Sequence, residues 1–156
     1  MENLIERLRT LLDEGGEFDR AAAAVCRSLR AGVRRFNWVG IYMIEGGDTL
    51  VLKAWDGPAP TEHVRIPIGQ GICGLAAREN RTVVVDDVRA DPRYLQCFLH
   101  TRAEIVVPIR VHGAVAGEID IDSDTPAAFG ETDAILLEWL ADRLGRAAER
   151  GRPVTP

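Results

Sequence analysis

A hairpin near the C-terminal end of the chain constrains the fold more than any other feature. Two extended, largely apolar runs, residues 104–111 and 114–122, flank the dipeptide His112-Gly113. A glycine-containing dipeptide between two such runs is typical of a tight β-turn. Strands joined by so short a turn must pair antiparallel, since a parallel pair needs a long crossover. The sequence therefore predicts an antiparallel sheet built on this hairpin.

Carboxylates occupy one side of the second strand of the hairpin. Alternate residues of a strand share a face, so Glu118, Asp120 and Asp122 lie in a row about 7 Å apart, opposite Ile119 and Ile121. Like charges so close raise one another's pKa unless a cation or a hydrogen-bond donor meets them. The row is either a solvated sheet face or the wall of a pocket that selects an ammonium group or a protonatable oxygen.

The pairing register decides whether Glu104 joins this row. A clean two-residue turn at His112-Gly113 would place Glu104 opposite Ile121, on the apolar face. A one-residue bulge, for which Pro108 is a candidate, or a three-residue turn would bring Glu104 level with Asp122. The sequence leaves both registers open.

The remaining elements predict an α+β fold in which helices pack on a central, mainly antiparallel sheet of about six strands. Four consecutive β-branched residues at 82–85 favour a central position for their strand. We expect an N-terminal helix at 1–16, one globular domain at 17–150 and a short tail at 151–156. Helical periodicity and capping signals predict helices over residues 4–12, 18–33, 72–79 and 131–149, and strands over 37–44, 49–55, 64–68 and 82–85.

Length and charge limit the function classes. A chain of 156 residues suits one domain, and its net charge of −5 argues against nucleic acid as a partner. No stretch approaches the roughly 20 apolar residues of a membrane span, and the N-terminus has no signal-peptide pattern, so we expect a cytoplasmic protein. Three cysteines are too few, and odd in number, for a disulfide framework.

The three cysteines differ in their expected reactivity. Cys26 lies on the apolar side of an alanine-rich helix and should be inert. Cys73 begins a helix, whose N-terminus should lower the pKa of its thiol. Cys97 lies in a loop near the carboxylates. His63 and His100 allow a Cys-His enzyme or a Cys/His metal site, but no orienting group or C-x-x-C pair supports either, and we predict no metal.

Several motifs together resemble a GAF domain, over about residues 17–148. Among GAF domains the resemblance is to the free methionine-(R)-sulfoxide reductase family. The motifs are Asn37-Trp38-Val39-Gly40-Ile41-Tyr42, Gly69-x-Gly71-Ile72-Cys73-Gly74, Glu104-Ile105-Val106-Val107-Pro108-Ile109, Gly117-x-x-Asp120-Ile121-Asp122-Ser123 and Phe129-x-x-x-Asp133.

The resemblance implies a thiol-dependent reductase of a small sulfoxide. Cys97, seven residues before Glu104, falls at the family's catalytic cysteine. The resemblance also implies that Cys73 is a candidate second thiol and that a thioredoxin-type reductant restores the enzyme, with no bound cofactor. The implied substrate-binding residues are Glu104, Asp120, Asp122, Trp38 and Tyr42.

Three positions depart from the family's pattern. The family usually has a second, resolving cysteine where this chain has His63, so Cys73 or an external thiol would have to replace it. Phe98 replaces an acidic residue, and Glu118 stands where an apolar residue is typical. The loop at 58–62 is longer than usual.

A second hypothesis is a non-catalytic GAF module that binds a small molecule or senses redox state in signalling. Fold analogy favours it, because many GAF domains serve as sensors. The sequence does not give the oligomeric state, although the N-terminal helix could pair in a homodimer.

Overall fold

The computed structural model describes residues 1–96 and 98–151. Within these residues the chain forms four α-helices and one six-stranded sheet. The α-helices are α1 (Glu2–Asp13), α2 (Phe18–Gly32), α3 (Gly71–Glu79) and α4 (Glu131–Arg150). The strands are β1 (Trp38–Glu45), β2 (Thr49–Asp56), β3 (Arg65–Pro67), β4 (Val83–Val85), β5 (Ala103–Val111) and β6 (Ala114–Ser123).

The strands are arranged in the order β3-β2-β1-β6-β5-β4, and every neighbouring pair is antiparallel. The predicted α+β fold is therefore confirmed. The predicted central position of the 82–85 strand is wrong, because β4 pairs with β5 alone, at one edge of the sheet. Its outward-facing Val84 is 42% exposed. β-branched residues favour extended backbone but do not by themselves say how many neighbours a strand has.

Apolar cores form on both faces of the sheet. On one face, α1, α2 and α4 cover Ile119 and Ile121 of β6. On the other face, the shorter α3 packs against β5 and β6 and leaves room beside it for connecting loops. Among the described residues, no helix is both long and apolar enough to cross a membrane.

The β5–β6 hairpin contains the bulge that one of the two registers requires. His112 and Gly113 both have positive φ, 52° and 79°, as a type I′ turn demands. Val111 pairs with Ala114, but the register shifts between Ile109 and Arg110, where Ala116 of β6 has no partner in the pairing. The candidate position Pro108 is wrong, because Pro108 pairs regularly with Glu118.

This shift brings Glu104 directly opposite Asp122. A one-residue shift moves every later side chain to the other face of its strand. The bulge therefore transfers Glu104 from the apolar core to the face that carries the acidic row.

Candidate functional site

Four carboxylic acids meet on the α3 face of the sheet. Glu104 of β5 and Glu118, Asp120 and Asp122 of β6 are each at most 3% exposed. The alternative of a solvated sheet face is therefore wrong. Side chains directly opposite on antiparallel strands have Cβ atoms about 5 Å apart, so the facing pair Glu104 and Asp122 cannot both ionise without a large electrostatic cost.

Most of the oxygen atoms of this acid cluster (Glu104, Glu118, Asp120 and Asp122) have no hydrogen-bond partner. Within the part of the chain that is described, six of the eight are buried and unpaired. They are Glu104 Oε2, Asp120 Oδ1 and both oxygens of Glu118 and Asp122. Buried polar atoms in folded proteins are almost always paired, so this many unpaired acceptors indicate a site made for a ligand that brings donors.

Burial affects the four acids to different degrees. Removal from water, and then the charge of Asp120, raises the pKa of Glu104, Glu118 and Asp122 well above the usual range. Burial raises the pKa of Asp120 only to about 6, because hydrogen bonds from Glu104 and Cys73 and the charge of His63 favour its ionised form. The environment thus favours the ionised form of Asp120 at neutral pH and shifts the other three acids toward their protonated forms.

Cys73 lies against the acid cluster rather than at an open helix terminus. Its Sγ is 3.9 Å from Glu104 Oε1, and the side chain is buried in the core under α3. The expectation that the helix N-terminus lowers its pKa is wrong. Burial first, and then the charges of Asp120, Glu118 and Glu104, raise the pKa of the Cys73 thiol well above its usual value. Cys73 is therefore a protonated, weakly nucleophilic thiol.

An aromatic wall stands beside the acids. Trp38 of β1 pairs with Asp122, and its ring stacks on Trp55 at 6.4 Å between centroids. Phe98 also packs against Trp38, with a tilted ring and 5.9 Å between centroids. The ring can lie here because Gly40 has no side chain: a Cβ at Gly40 would come within 2.3 Å of it.

A small cavity separates the aromatic wall from Asp122. The space open to the centre of a water-sized sphere is about 70 Å³, and about 10–15 Å³ of such space holds one water molecule. The cavity therefore has room for several water molecules or for a small ligand group. The cavity is lined by Asn37, Trp38, Pro58, Ala59, Phe98, His100, Thr101, Asp122 and Asp124.

A covering segment, residues 91–96 and 98–102, runs past the cavity and includes Phe98. Tyr94 and Phe98 pack on the α3-side core, and a Cβ at Gly71 would lie 3.0 Å from Leu95. The predicted catalytic residue Cys97 lies outside the described residues. Its distance from Cys73 therefore stays untested. The segments on both sides of it in the sequence border the site.

Tyr42 and His63 join the β1 strand to the covering segment. The buried Tyr42 hydroxyl donates to the backbone carbonyl of His63 over 2.8 Å. The His63 ring reaches Gln96 O, with 2.8 Å between Nε2 and the oxygen. Tyr42 therefore fixes the backbone beside the pocket and also lies opposite Glu118 in the sheet.

Cys73, Glu104 and Asp120 each place one potential ligand atom within 4.8 Å of the others. A thiol and two carboxylates can contact a divalent cation. The same oxygens would also accept hydrogen bonds from an ammonium group, and the structure does not favour a metal over such a ligand. The expectation that the chain binds no metal stays a prediction.

Sequence reasoning did not assign Glu118 or His63 to the site. The signal for Glu118 was present, because alternation along β6 already put it on the face of Asp120 and Asp122. His63 was considered only as a partner of a cysteine and as a departure from the family's pattern, because no local pattern predicts that its ring meets Gln96 across 33 residues of sequence.

A family model described as "GAF domain" matches residues 3–148. The chain belongs to the GAF domain family. The match covers both the sheet and the helices on its two faces, which agrees with the resemblance of the sequence motifs. The chain is 34% identical over 141 residues to GAF domain-containing protein A of Dictyostelium discoideum, covering 89% of this chain and 86% of that protein.

Relatives of this GAF domain include free methionine-R-sulfoxide reductases. The Escherichia coli reductase is 36% identical over 108 residues, which are 69% of this chain and 64% of that protein. The Neisseria meningitidis reductase, solved in complex with its substrate, superimposes with a TM-score of 0.87 at 35% identity, covering 94% of this chain and 86% of that chain. Sulfoxide reduction is thus an activity of similar proteins.

Proposed function

We propose that this GAF domain reduces free methionine-(R)-sulfoxide, or a related small sulfoxide, with Cys97 as its nucleophile. The observation that carries the proposal is the buried acid cluster, with six unpaired oxygens beside an aromatic wall. A free amino acid brings an ammonium group to such acceptors and an apolar methyl group to such a wall. The similarity to reductases supports the choice of substrate.

The divided protonation of the acid cluster suits both ends of the substrate. Asp120, ionised at neutral pH, would attract the ammonium group. This attraction is stronger in the low dielectric of the pocket than it would be in water. The raised pKa of Glu104 and of Asp122 favours their protonated forms. One of them would donate a proton toward the sulfoxide oxygen as its bond to sulfur weakens, which is general-acid catalysis by a carboxylic acid of raised pKa.

The chemical step transfers one oxygen atom. The Cys97 thiolate attacks the sulfoxide sulfur, the protonated oxygen passes to the Cys97 sulfur, and methionine leaves. The substrate sulfur gains two electrons, and the Cys97 sulfur loses two and becomes a sulfenic acid. Formation of the Cys97 thiolate releases one proton, and the carboxylic acid donates one proton to the sulfoxide oxygen. The released proton restores the carboxylic acid, so the step consumes no proton.

A second thiol must then return Cys97 to its reduced state. It condenses with the sulfenic acid to a disulfide and releases water, and a dithiol reductant such as a thioredoxin-like protein reduces that disulfide by exchange. The raised pKa of Cys73 makes it a slow nucleophile. We therefore propose that an external thiol attacks the sulfenic acid directly in this protein.

The test is a reduction assay on the two epimers of free methionine sulfoxide, with dithiothreitol or a thioredoxin system as the electron source. We expect turnover of the R epimer by the wild type and none by Cys97→Ser. A sulfenic-acid-specific label should mark Cys97 after one equivalent of substrate. Cys26→Ser is the matched control, because Cys26 is buried among the helices on the opposite face of the sheet and burial raises the pKa of its thiol to about 12.

The alternative, a binding or sensing module, makes a different prediction in the same experiments. If the protein is such a module, calorimetry should detect binding of a small molecule to both the wild type and Cys97→Ser, and neither should form product. The raised pKa of Cys73 and the histidine at position 63 favour this alternative, since both weaken an internal thiol relay. R-epimer turnover equal in wild type and Cys97→Ser would exclude the reductase mechanism.

A further inference from the structure

We propose that His63 is a positioning residue that holds the covering segment (residues 91–96 and 98–102) over the acid cluster. The inference rests on the proposed function only for its kinetic readout. Its physical basis is a hydrogen bond between the His63 ring and the backbone of Gln96, which joins the loop before β3 to the covering segment.

The direction of this hydrogen bond follows from its acceptor. A backbone carbonyl can only accept, so Nε2 of His63 must carry a hydrogen, as it does in one neutral tautomer and in the imidazolium. Because the acceptor is a backbone carbonyl, a substitution at position 96 does not remove it unless the substitution changes the path of the backbone. The bond therefore depends on the residue at position 63.

The donor is held in place from both sides along its own backbone. The His63 N–H donates to Thr61 Oγ1 over 3.1 Å, and the His63 carbonyl accepts from the buried Tyr42 hydroxyl over 2.8 Å. Thr61 is itself buried. A donor fixed in this way loses little conformational freedom when it meets Gln96, so more of the bond energy is available to hold the covering segment.

Other contacts also hold the covering segment: Tyr94 and Phe98 pack on the α3-side core, and the Arg102 side chain pairs with Asp87. The Asp91–Arg93 ion pair lies within the segment and is exposed, and Phe98 provides the contact with Trp38. The hydrogen bond from His63 holds the covering segment at a second point, Gln96, which precedes Phe98 in the sequence. Because Phe98 of this segment lines the cavity beside Asp122, the strength of this hydrogen bond affects how readily ligands enter and how tightly they are enclosed.

Three variants separate the hydrogen bond from the charge and the bulk of the ring. His63→Leu keeps much of the volume without a donor, and His63→Gln places an N–H near the position of Nε2 without a charge. His112→Asn is the matched control: it removes an exposed imidazole that pairs with Glu149 at the far end of the β5–β6 hairpin, and asparagine tolerates the φ of 52° there.

Hydrogen exchange measured by mass spectrometry gives a readout that does not depend on catalysis. We expect peptides spanning residues 91–96 to exchange about 3- to 10-fold faster in His63→Leu, as the loss of one hydrogen bond implies. His63→Gln and His112→Asn should exchange like the wild type. Calorimetry with L-methionine-(R)-sulfoxide as probe, on a Cys97→Ser background, should show weaker binding by the same factor in His63→Leu alone.

In steady-state kinetics, His63→Leu should raise KM by that factor and leave kcat within about two-fold, because enclosure is lost equally in the ground and transition states. Unchanged exchange in His63→Leu would overturn the proposal. So would equal defects in His63→Leu and His63→Gln, which would assign the effect to the charge of the ring. If the wild type shows no turnover, the reductase proposal fails, but the exchange experiment still decides the role of His63.

Discussion

Replacement of Asp120 by asparagine should make the ligand-free protein more stable at alkaline pH. Asp120 is 1% exposed, and its pKa is raised from 3.8 to about 6, with burial as the largest cause. One pKa unit corresponds to about 1.4 kcal/mol, so ionisation of Asp120 in the folded state costs about 3 kcal/mol of stability in total. Asparagine has nearly the same volume and does not ionise.

The sign follows from proton binding. A carboxylic acid whose pKa is higher in the folded than in the unfolded state keeps its proton longer when folded, so stability falls as pH rises between the two pKa values. The loss is absent below the unfolded pKa of 3.8 and complete above about 6. About half of it, some 1.4 kcal/mol, develops between pH 5 and pH 8. Because Asp120 also raises the pKa of Glu104, its replacement flattens the profile further.

Urea unfolding followed by tryptophan fluorescence at pH 5 and pH 8 measures this difference. We expect the free energy of unfolding of the wild type to fall by at least about 1.4 kcal/mol more than that of Asp120→Asn between the two pH values. Asp142→Asn is the control, since this carboxylate lies exposed on α4. Equal pH dependence in the wild type and Asp120→Asn would refute the assignment of a raised pKa.

The same variant should bind methionine sulfoxide at least about 10-fold more weakly, since it lacks the carboxylate proposed to attract the ammonium group.

Three further substitutions test other parts of the site. Gly40→Ala should cost about 1–3 kcal/mol and shift the tryptophan emission, because the new methyl group would lie 2.3 Å from the Trp38 ring; unaltered emission and stability would contradict this packing. Glu118→Met should raise the free energy of unfolding at pH 8 by about 1–3 kcal/mol, since it removes a buried acid whose oxygens are unpaired; a less stable variant would indicate that Glu118 has a partner. Cys73→Ser should retain more than about half of the dithiothreitol-supported turnover, because a thiol of raised pKa contributes little thiolate. Cys26→Ser is measured beside it as the control. A loss of turnover as complete as that of Cys97→Ser would make Cys73 essential.

Local patterns predicted most of the secondary structure and the composition of the acidic row. The leucine spacing of α1, the turn at His112-Gly113 and the alternation along β6 all involve neighbours in sequence, and the structure confirms each of them. The same alternation placed Asp120 and Asp122 on one face. The assignments of substrate-binding roles to these residues, and of catalysis to Cys97, stay predictions.

Interactions between distant segments decided what the patterns left open. The bulge at Ala116 of β6, opposite Ile109 and Arg110, sets Glu104 against Asp122, and a strand by itself does not reveal where an extra residue will be accommodated. The reversal of the expected pKa shift of Cys73 has the same origin, because a helix start lowers a thiol pKa only where burial and nearby carboxylates do not outweigh it.

The sequence by itself determined an antiparallel α+β domain with a row of acids on one strand, because turn chemistry and a period of two act over a few residues. Tertiary structure alone decided that α3 and the covering segment remove those acids from water. Burial changes them from surface charges into a cluster in which the pKa of every acid is raised, that of Asp120 to about 6. The hydrogen bond from His63 to Gln96 was likewise decided only by folding, since the two residues are 33 positions apart.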